Sequence, residues 1–332
     1  MSMEISIICP TYNEEKYIDT CIDSLVKQDI DKEKIEVFFV DGNSTDSTVE
    51  IIKTYQKQYS WIKLLNNPER IVPYAMNYGI KASQSDIVMR IDAHSFYADN
   101  YISVLLNAIR EFGATNVGAV CRTDVLNKNA KTLAIGEVLS NPFGVGNSLF
   151  RLGVDKITEV DTVPFGCYRK EVFDRYGLYN PKLVRNQDIE LNKRIKRDGG
   201  RILLVPDTYC TYLARETYKA LSKNNFQNGM WNILTVYYTN AMDSLSLRHF
   251  IPLLFVLSLV IPSLLGLIWA PFVILSVLSF VLYFLLVCII SIKAYMKNEV
   301  SICYMILTFY VLHISYGVGS LVGLKRVLFK QV

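Results

Sequence analysis

Asp92-Ala-His94 follows directly on the apolar run Ile87-Val-Met-Arg-Ile91. Side chains alternate faces along extended backbone, so a carboxylate and an imidazole two residues apart point the same way. Together they can hold a divalent cation at the carboxyl end of a strand, where open α/β sheets bind ligands. An aspartate at a strand end also serves as a turn residue or helix cap, so the tripeptide alone fits either role. Asp41, after the apolar run 35–40, and Glu14, after the run 5–9, share that ambiguity. One fits a turn and the other the acidic first turn of a helix. Asp188, just ahead of Leu191 and Ile195, either caps a helix or points its carboxylate from the helix start into a cleft.

The elements that would position these groups can be read from the apolar pattern. Ile5-Ser-Ile-Ile-Cys9 is a short buried strand, ended by Pro10-Thr-Tyr-Asn-Glu-Glu15. Ile18, Cys21, Ile22 and Leu25 then recur at helical spacing. A second strand at 35–40 runs into the polar turn Asp41-Gly-Asn-Ser-Thr-Asp46. Ser44 or Asp46 there caps a helix carrying Val49, Ile51, Ile52 and Tyr55. A third strand at 62–65 and a helix over 73–82 lead to the strand that ends at Asp92. Strands alternating with helices at this spacing predict a parallel, right-handed, doubly wound α/β sheet.

Pro10-Thr-Tyr-Asn-Glu-Glu15, Val40-Asp-Gly-Asn-Ser-Thr-Asp46 and Asp92-Ala-His94 resemble the nucleotide-sugar motifs of family-2 inverting glycosyltransferases with the GT-A fold. Asn66-Asn-Pro-Glu-Arg70, Ala75-Met-Asn-Tyr-Gly79 and Arg90-Ile-Asp-Ala-His-Ser95 are similar to the bacterial exopolysaccharide branch, the succinoglycan-type glucosyltransferases. The resemblance spans roughly the first two-thirds of the chain, and several ordered motifs are far more specific than one.

The resemblance implies a GT-A catalytic domain, Rossmann-like with a mainly parallel sheet, over residues 1–212. It implies a donor site of Pro10, Thr11, Glu14, Asp41, Arg70, Asn77 and Asp92, with Asp41 accepting from the base N–H. Asp92 and His94 stand at the family's Asp-x-Asp position, implying Mg²⁺ or Mn²⁺ as a Lewis acid on the diphosphate. His94 either ligates the ion, favouring Mn²⁺, or hydrogen-bonds a phosphate. Met76 replaces an arginine that many members carry; Arg70 and Arg90 either compensate or are ordinary surface and strand-edge residues. Gln187-Asp-Ile-Glu-Leu-Asn-Lys-Arg194 resembles the family's Glu-Asp-x-x-Leu-x-x-Arg, with Gln187 replacing the glutamate. Asp188 then becomes the proton acceptor. On the acceptor side the resemblance places Gly166, Gln187, and Gln227 and Trp231 of Gln227-Asn-Gly-Met-Trp231. The last is similar to a Gln-x-x-Arg-Trp signature of processive synthases, with Met230 for the arginine.

Composition agrees. The net charge of +4 over 332 residues is mild and dispersed, with no basic, aromatic-interleaved run of a nucleic-acid module. Seven scattered cysteines without a Cys-x-x-Cys pair read as buried reduced thiols. The first strand begins at Ile5, which leaves no signal peptide and keeps the soluble part in the cytosol.

From Phe250 to Ile292 there is no Asp, Glu, Lys or Arg. A spanning helix needs about 20 apolar residues, so this stretch predicts a membrane hairpin, 250–268 and 272–292, within an anchor over 248–332. Arg248 at one end and Lys293 and Lys297 at the other place both ends in the cytoplasm. The third apolar segment, 301–324, either spans or is re-entrant or interfacial, which would return Lys325, Arg326 and Lys330 to the cytoplasm. Between domain and anchor, residues 213–247 read as an amphipathic linker, either interfacial or packed as core.

The expectation is a bacterial inner-membrane hexosyltransferase that moves a sugar from a UDP-sugar to a lipid-linked saccharide in polysaccharide assembly. Its neighbours in chemistry are a polyprenyl-phosphate glycosyl synthase and a processive synthase. A membrane nucleotide-sugar sensor or scaffold without catalysis is the reading from another class. No nucleic acid is expected as a partner; other polysaccharide-assembly proteins are.

Overall fold

The computed structural model describes residues 3–240 and 247–331. The chain divides into two compact units, Met1–Arg122 with Leu149–Tyr212, and Thr123–Ser148 with Leu213–Val332. It opens with β1 (Ile5–Thr11), α1 (Ile18–Val26), β2 (Ile35–Asp41), α2 (Thr48–Gln56), β3 (Ile62–Asn66) and α3 (Val72–Ala82). Then follow β4 (Ile87–Arg90), β5 (Ser95–Tyr97), α4 (Tyr101–Glu111) and β6 (Asn116–Asp124). The second unit takes α5 (Ala130–Leu139) and α6 (Pro142–Val145). The chain returns to the first for α7 (Leu149–Leu152), β7 (Thr158–Glu159), β8 (Cys167–Arg169), α8 (Glu171–Tyr176), α9 (Gln187–Arg197) and β9 (Ile202–Leu213). It ends in α10 (Tyr218–Thr239), α11 (Ile251–Leu265), α12 (Phe272–Asn298) and α13 (Ile302–Leu328).

The strands form one sheet in the order β3-β2-β1-β4-β8-β6-β9-β5, with β7 paired to β9. β3, β2, β1 and β4 are parallel, as the strand–helix alternation predicts. Every residue of β2 is buried, the pattern of a strand covered on both faces. β8, β6, β9, β5 and β7 add antiparallel pairs, so the sheet is mixed. α1 buries Ile18, Cys21, Ile22 and Leu25, the face read from their spacing. α3 presses Gly79 onto β1, where an added Cβ would lie within 2.9 Å of the Ile8 side chain.

One buried carboxylate braces the sheet. Glu36 accepts from Ser6 Oγ (2.6 Å), the Gln84 amide (2.8 Å) and Lys63 Nζ (2.5 Å). Burial favours its neutral form, but the Lys63, Ser6 and Gln84 donors outweigh burial and hold the carboxyl below its ordinary value. A depressed folded-state pKa contributes stability above the unfolded value, about 4.3, that is lost as pH falls through the folded value. Wild type should therefore lose its stability advantage over Glu36→Gln as pH falls from neutrality below about 4. Melting curves of the two proteins across that range check it; a pH-independent gap would refute it.

Among the described residues of the second unit, three helices are long and apolar enough to cross a membrane: the stretch Arg248–Leu265, Phe272–Asn298 and Ile302–Leu328. The first two form the hairpin, its turn at 266–271, and are joined by Ser258–Ser279 (2.6 Å) and Ser263–Ser276 (2.9 Å) hydrogen bonds. The third apolar segment is one unbroken helix of 27 residues. α10 packs along it through small residues. A Cβ at Gly229 would strike the Tyr316 carbonyl, and one at Gly319 the Phe226 carbonyl. α10 buries Met230, Ile233 and Leu234 and leaves Tyr237 exposed, so the linker is packed on one side and open on another. The part of the linker at 241–246 lies outside the described residues. α5 contributes Ala134 and Val138 to a cluster with Val287, Ile290, Met305 and Phe309. The cysteines are free thiols; Cys9, Cys21, Cys121, Cys167 and Cys210 are buried, Cys288 is half-buried and Cys303 exposed.

Candidate active site

The carboxyl ends of β1, β2, β3 and β4 carry the polar groups. Thr11 and Asp41 are register partners, and Asp41 pairs in turn with Asn66. Asp41 is buried and accepts from the Ser44 amide (2.9 Å) and Ser44 Oγ (2.5 Å), the side-chain turn its type favours. The loops after β1 and β2 are latched together. The Asn13 amide donates to Ser44 Oγ (2.9 Å), and Asn13 Oδ1 accepts from the Thr45 amide (2.8 Å). The Glu15 amide reaches Asp46 (3.1 Å) while Glu15 Oε2 accepts from the Ser47 amide (3.0 Å). Asp46 Oδ1 also takes the Thr48 amide (3.1 Å) and so caps α2, whose N-cap position is Ser47. Thr11 Oγ1 is buried without a hydrogen-bond partner among the described residues. Arg70 is exposed at φ 64° beside this loop, its Cα 3.3 Å from where a Cβ on Gly42 would sit.

Asp92 leaves β4 in a tightly held turn. Its amide donates to Tyr97 Oη (2.8 Å), and its carbonyl accepts from that hydroxyl (3.2 Å) and from the Ser95 amide (3.2 Å). Burial pushes the Tyr97 phenol well up, so it stays protonated and can donate. Asp92 Oδ1 accepts from Arg90 Nε (3.2 Å) and Nη2 (3.0 Å). Arg90 is itself buried, its ring neighbour Phe165 at 6.0 Å, and its Nη1 has no hydrogen-bond partner among the described residues. Burial alone would weaken this cation. The carboxylates of Asp92 and then Asp188 outweigh burial and hold the guanidinium above its ordinary pKa. His94 Nδ1 lies 3.1 Å from Glu14 Oε1, and its ring meets Tyr212 edge-on at 5.9 Å.

Asp188 lies in the first turn of α9 and accepts from the Ile189 amide at 2.9 Å. The preceding Asn186 takes a left-handed φ of 61°, which Asn tolerates better than most residues. α9 is anchored by Asn192, which accepts from Asn116 (2.8 Å) and donates to Thr162 (2.8 Å). Arg194 pairs with Glu190 (2.8 Å) and donates to the carbonyls of Tyr176, Gly177 and Leu178. Tyr179, on the loop so held, is pushed up to about 12 by burial, with Arg90 pulling the other way.

The structure thus joins Asp92 to Arg90, with Asp188 close enough for its charge to favour the same cation. It also joins Glu14 to His94. Asn77 binds the Tyr179 backbone at both of its polar ends, at 2.9 and 3.0 Å, and tethers that loop. Gly166 is buried; its carbonyl accepts from the Arg90 amide (3.0 Å), and an added Cβ would lie 2.5 Å from Asn116 Oδ1. Gln187 is buried, its Oε1 without a hydrogen-bond partner among the described residues, and Pro10 is half-buried at the end of β1. Gln227 and Trp231 lie on α10 in the second unit, Trp231 stacked on Tyr238 at 6.4 Å. Sequence reasoning missed Tyr97 and the Glu14–His94 pair. The only signal for the latter was an acid in each motif's neighbourhood.

Among the described residues, no three His, Cys, Asp or Glu side chains gather as a metal cage. An ion that bridges a diphosphate needs none, because Mg²⁺-like ions keep several positions for water and phosphate oxygens. The donor set present fits such an ion. Asp92 Oδ2 takes no hydrogen bond among the described residues. His94 sets Nδ1 against a carboxylate, the arrangement that metal-ligating histidines usually show.

The chain is 29% identical over 231 residues to a dolichyl N-acetyl-α-D-glucosaminyl phosphate 3-β-D-2,3-diacetamido-2,3-dideoxy-β-D-glucuronosyltransferase of Methanococcus voltae, covering 68% of this chain and 71% of that protein. It is equally 29% identical over 250 residues to the succinoglycan biosynthesis protein ExoA of Rhizobium meliloti, covering 74% of each. Equal identity to both singles out neither branch. The fold matches the mannosyltransferase PcManGT from Pyrobaculum calidifontis, solved with GDP-Man and Mn²⁺, with a TM-score of 0.58 at 15% identity over 100% of this chain and 89% of that one. The family model of glycosyl transferase family 2 matches residues 6–177, just over half of the chain, and the protein therefore belongs to that family, as a membrane-associated inverting glycosyltransferase of GT-A fold.

Proposed function

We propose that the protein moves a hexose from a UDP-sugar to a lipid-linked saccharide in polysaccharide assembly, in the manner of the exopolysaccharide branch. The observation that carries this reading is the set of polar groups at the carboxyl ends of the parallel strands, where buried Arg90 holds the Asp92 carboxylate at 3.0 Å and the charge of Asp188, at the start of α9, also favours the cation. Inversion in one displacement needs the leaving diphosphate on one side of the anomeric carbon and the attacking hydroxyl on the other. Asp188 takes the proton of the acceptor hydroxyl as its oxygen bonds to the anomeric carbon. The bond from that carbon to the diphosphate oxygen breaks, and UDP leaves with the electron pair. A divalent cation, Mn²⁺ or Mg²⁺, held by Asp92 and His94 would supply Lewis-acid stabilisation of the diphosphate. Thr11, Glu14, Asp41, Arg70 and Asn77 with Pro10 line the donor side in this reading. Gly166 and Gln187 serve the acceptor on the first unit, while Gln227 and Trp231, on α10 of the second, are acceptor contacts proposed from their motif alone. The apolar helices hold the enzyme at the bacterial inner membrane with the catalytic unit in the cytoplasm, where UDP-sugars are made.

The test is donor hydrolysis by detergent-purified protein across UDP-, GDP- and dTDP-sugars with Mn²⁺. One UDP-hexose should release UDP, and EDTA should stop it. Release from a GDP- or dTDP-sugar alone would overturn the UDP assignment.

A further inference from the structure

We infer that Glu14 is a positioning residue for the His94 imidazole, and through it for the divalent cation, instead of a contact to the nucleoside. The inference rests on the donor-site reading above. Glu14 comes from the loop after β1 and His94 from the turn before β5, 80 residues apart, yet Glu14 Oε1 and His94 Nδ1 lie at 3.1 Å. Both side chains are largely buried, with 18% and 26% of their surfaces exposed. The backbone that carries Glu14 is fixed. Its amide donates to Thr48 Oγ1 (2.8 Å), and the next amide, of Glu15, donates to Asp46 (3.1 Å). The His94 ring also meets Tyr212 edge-on.

An ionised carboxylate only accepts hydrogen bonds, so the imidazole must donate to it from Nδ1. A neutral imidazole with its proton on Nδ1 carries the lone pair on Nε2, the atom that can ligate a metal. The carboxylate also makes the imidazole a more basic ligand and fixes its rotation. Imidazole is a softer ligand than carboxylate and favours Mn²⁺ over Mg²⁺. Glu14 thereby selects the tautomer in which His94 offers Nε2 to the ion.

The test measures Mn²⁺ affinity in the presence of UDP and, separately, UDP affinity without metal, on the full chain in detergent. Glu14→Gln should weaken Mn²⁺ about 10–100-fold, the usual loss for an outer partner of a metal ligand. Metal-free UDP affinity should stay within about twofold, since the nucleoside contact is unchanged. On a His94→Ala background, Glu14→Gln should add nothing, because the two act as a unit. Glu14→Asp, which keeps the charge on a shorter arm, should fall between and covers the case of a poorly folding Gln variant. Unchanged Mn²⁺ affinity with weakened metal-free UDP binding would overturn the inference and make Glu14 a nucleoside contact. Wild type that binds Mn²⁺ but no UDP would overturn the donor reading, while the Mn²⁺ comparison would still decide the role of Glu14.

Discussion

Asp188→Asn should stop sugar transfer while leaving donor affinity within about twofold of wild type, because a general base acts on the transition state. General-base catalysis contributes about 10²–10⁴-fold, and the turnover number should fall by that amount. The substitution is nearly isosteric. The Asn carbonyl can still accept from the Ile189 amide, so the first turn of α9 keeps its bond. The helix remains anchored by Asn192 and Arg194, neither of which touches the changed atom. Transfer kinetics beside a calorimetric titration with UDP separate the two effects. Turnover above a tenth of wild type would remove Asp188 from the role of base.

Arg90→Met should be the most damaging single change to the site's architecture. It removes the cation that Asp92 and Asp188 both stabilise and leaves Asp92 Oδ1 without its two N–H donors. Breaking a buried pair by removing one partner costs about 3–5 kcal/mol. The lower end applies here, because 20% of the Asp92 side chain remains exposed to water. For a unit of this size, about 3 kcal/mol lowers the melting temperature by roughly 6–12 °C. Arg90→Lys keeps a charge but cannot present two N–H groups to one oxygen, and should lose less. Thermal unfolding followed by circular dichroism ranks the three proteins. A Met variant that melts with wild type would show that Arg90 is not the brace described.

Local features were the legible ones. The four parallel strands and the buried face of α1 follow from periods of two and 3.6, which act within a few residues. The Asp92-Ala-His94 tripeptide was visible because a strand end and its carboxylate are sequence neighbours. The Arg90–Asp188 proximity and the Glu14–His94 bond join residues 98 and 80 positions apart, and no periodicity reports such pairings. The antiparallel strands β8 and β5 were hard to see because each has three residues, too few to show alternation. The continuity of α13 was obscured by Gly317, Gly319 and Gly323. Those glycines thin its apolar pattern, yet Gly319 and Gly323 are where the α10 backbone at Phe226 and Met230 comes too close for a Cβ.

The return of α5 and α6 to the helical unit bears on how the protein can be dissected. Ala134, Ile135 and Val138 of α5 are fully buried, and their neighbours include Val287, Met305 and Phe309, from helices more than a hundred residues further on. Cutting the chain after β9 would remove those neighbours and strand α5 in water with its apolar face uncovered. The anchor is thus no detachable tail. Solubilising this enzyme by simple truncation would manufacture an adhesive surface, and α5 would have to be excised or rebuilt along with the helices it serves.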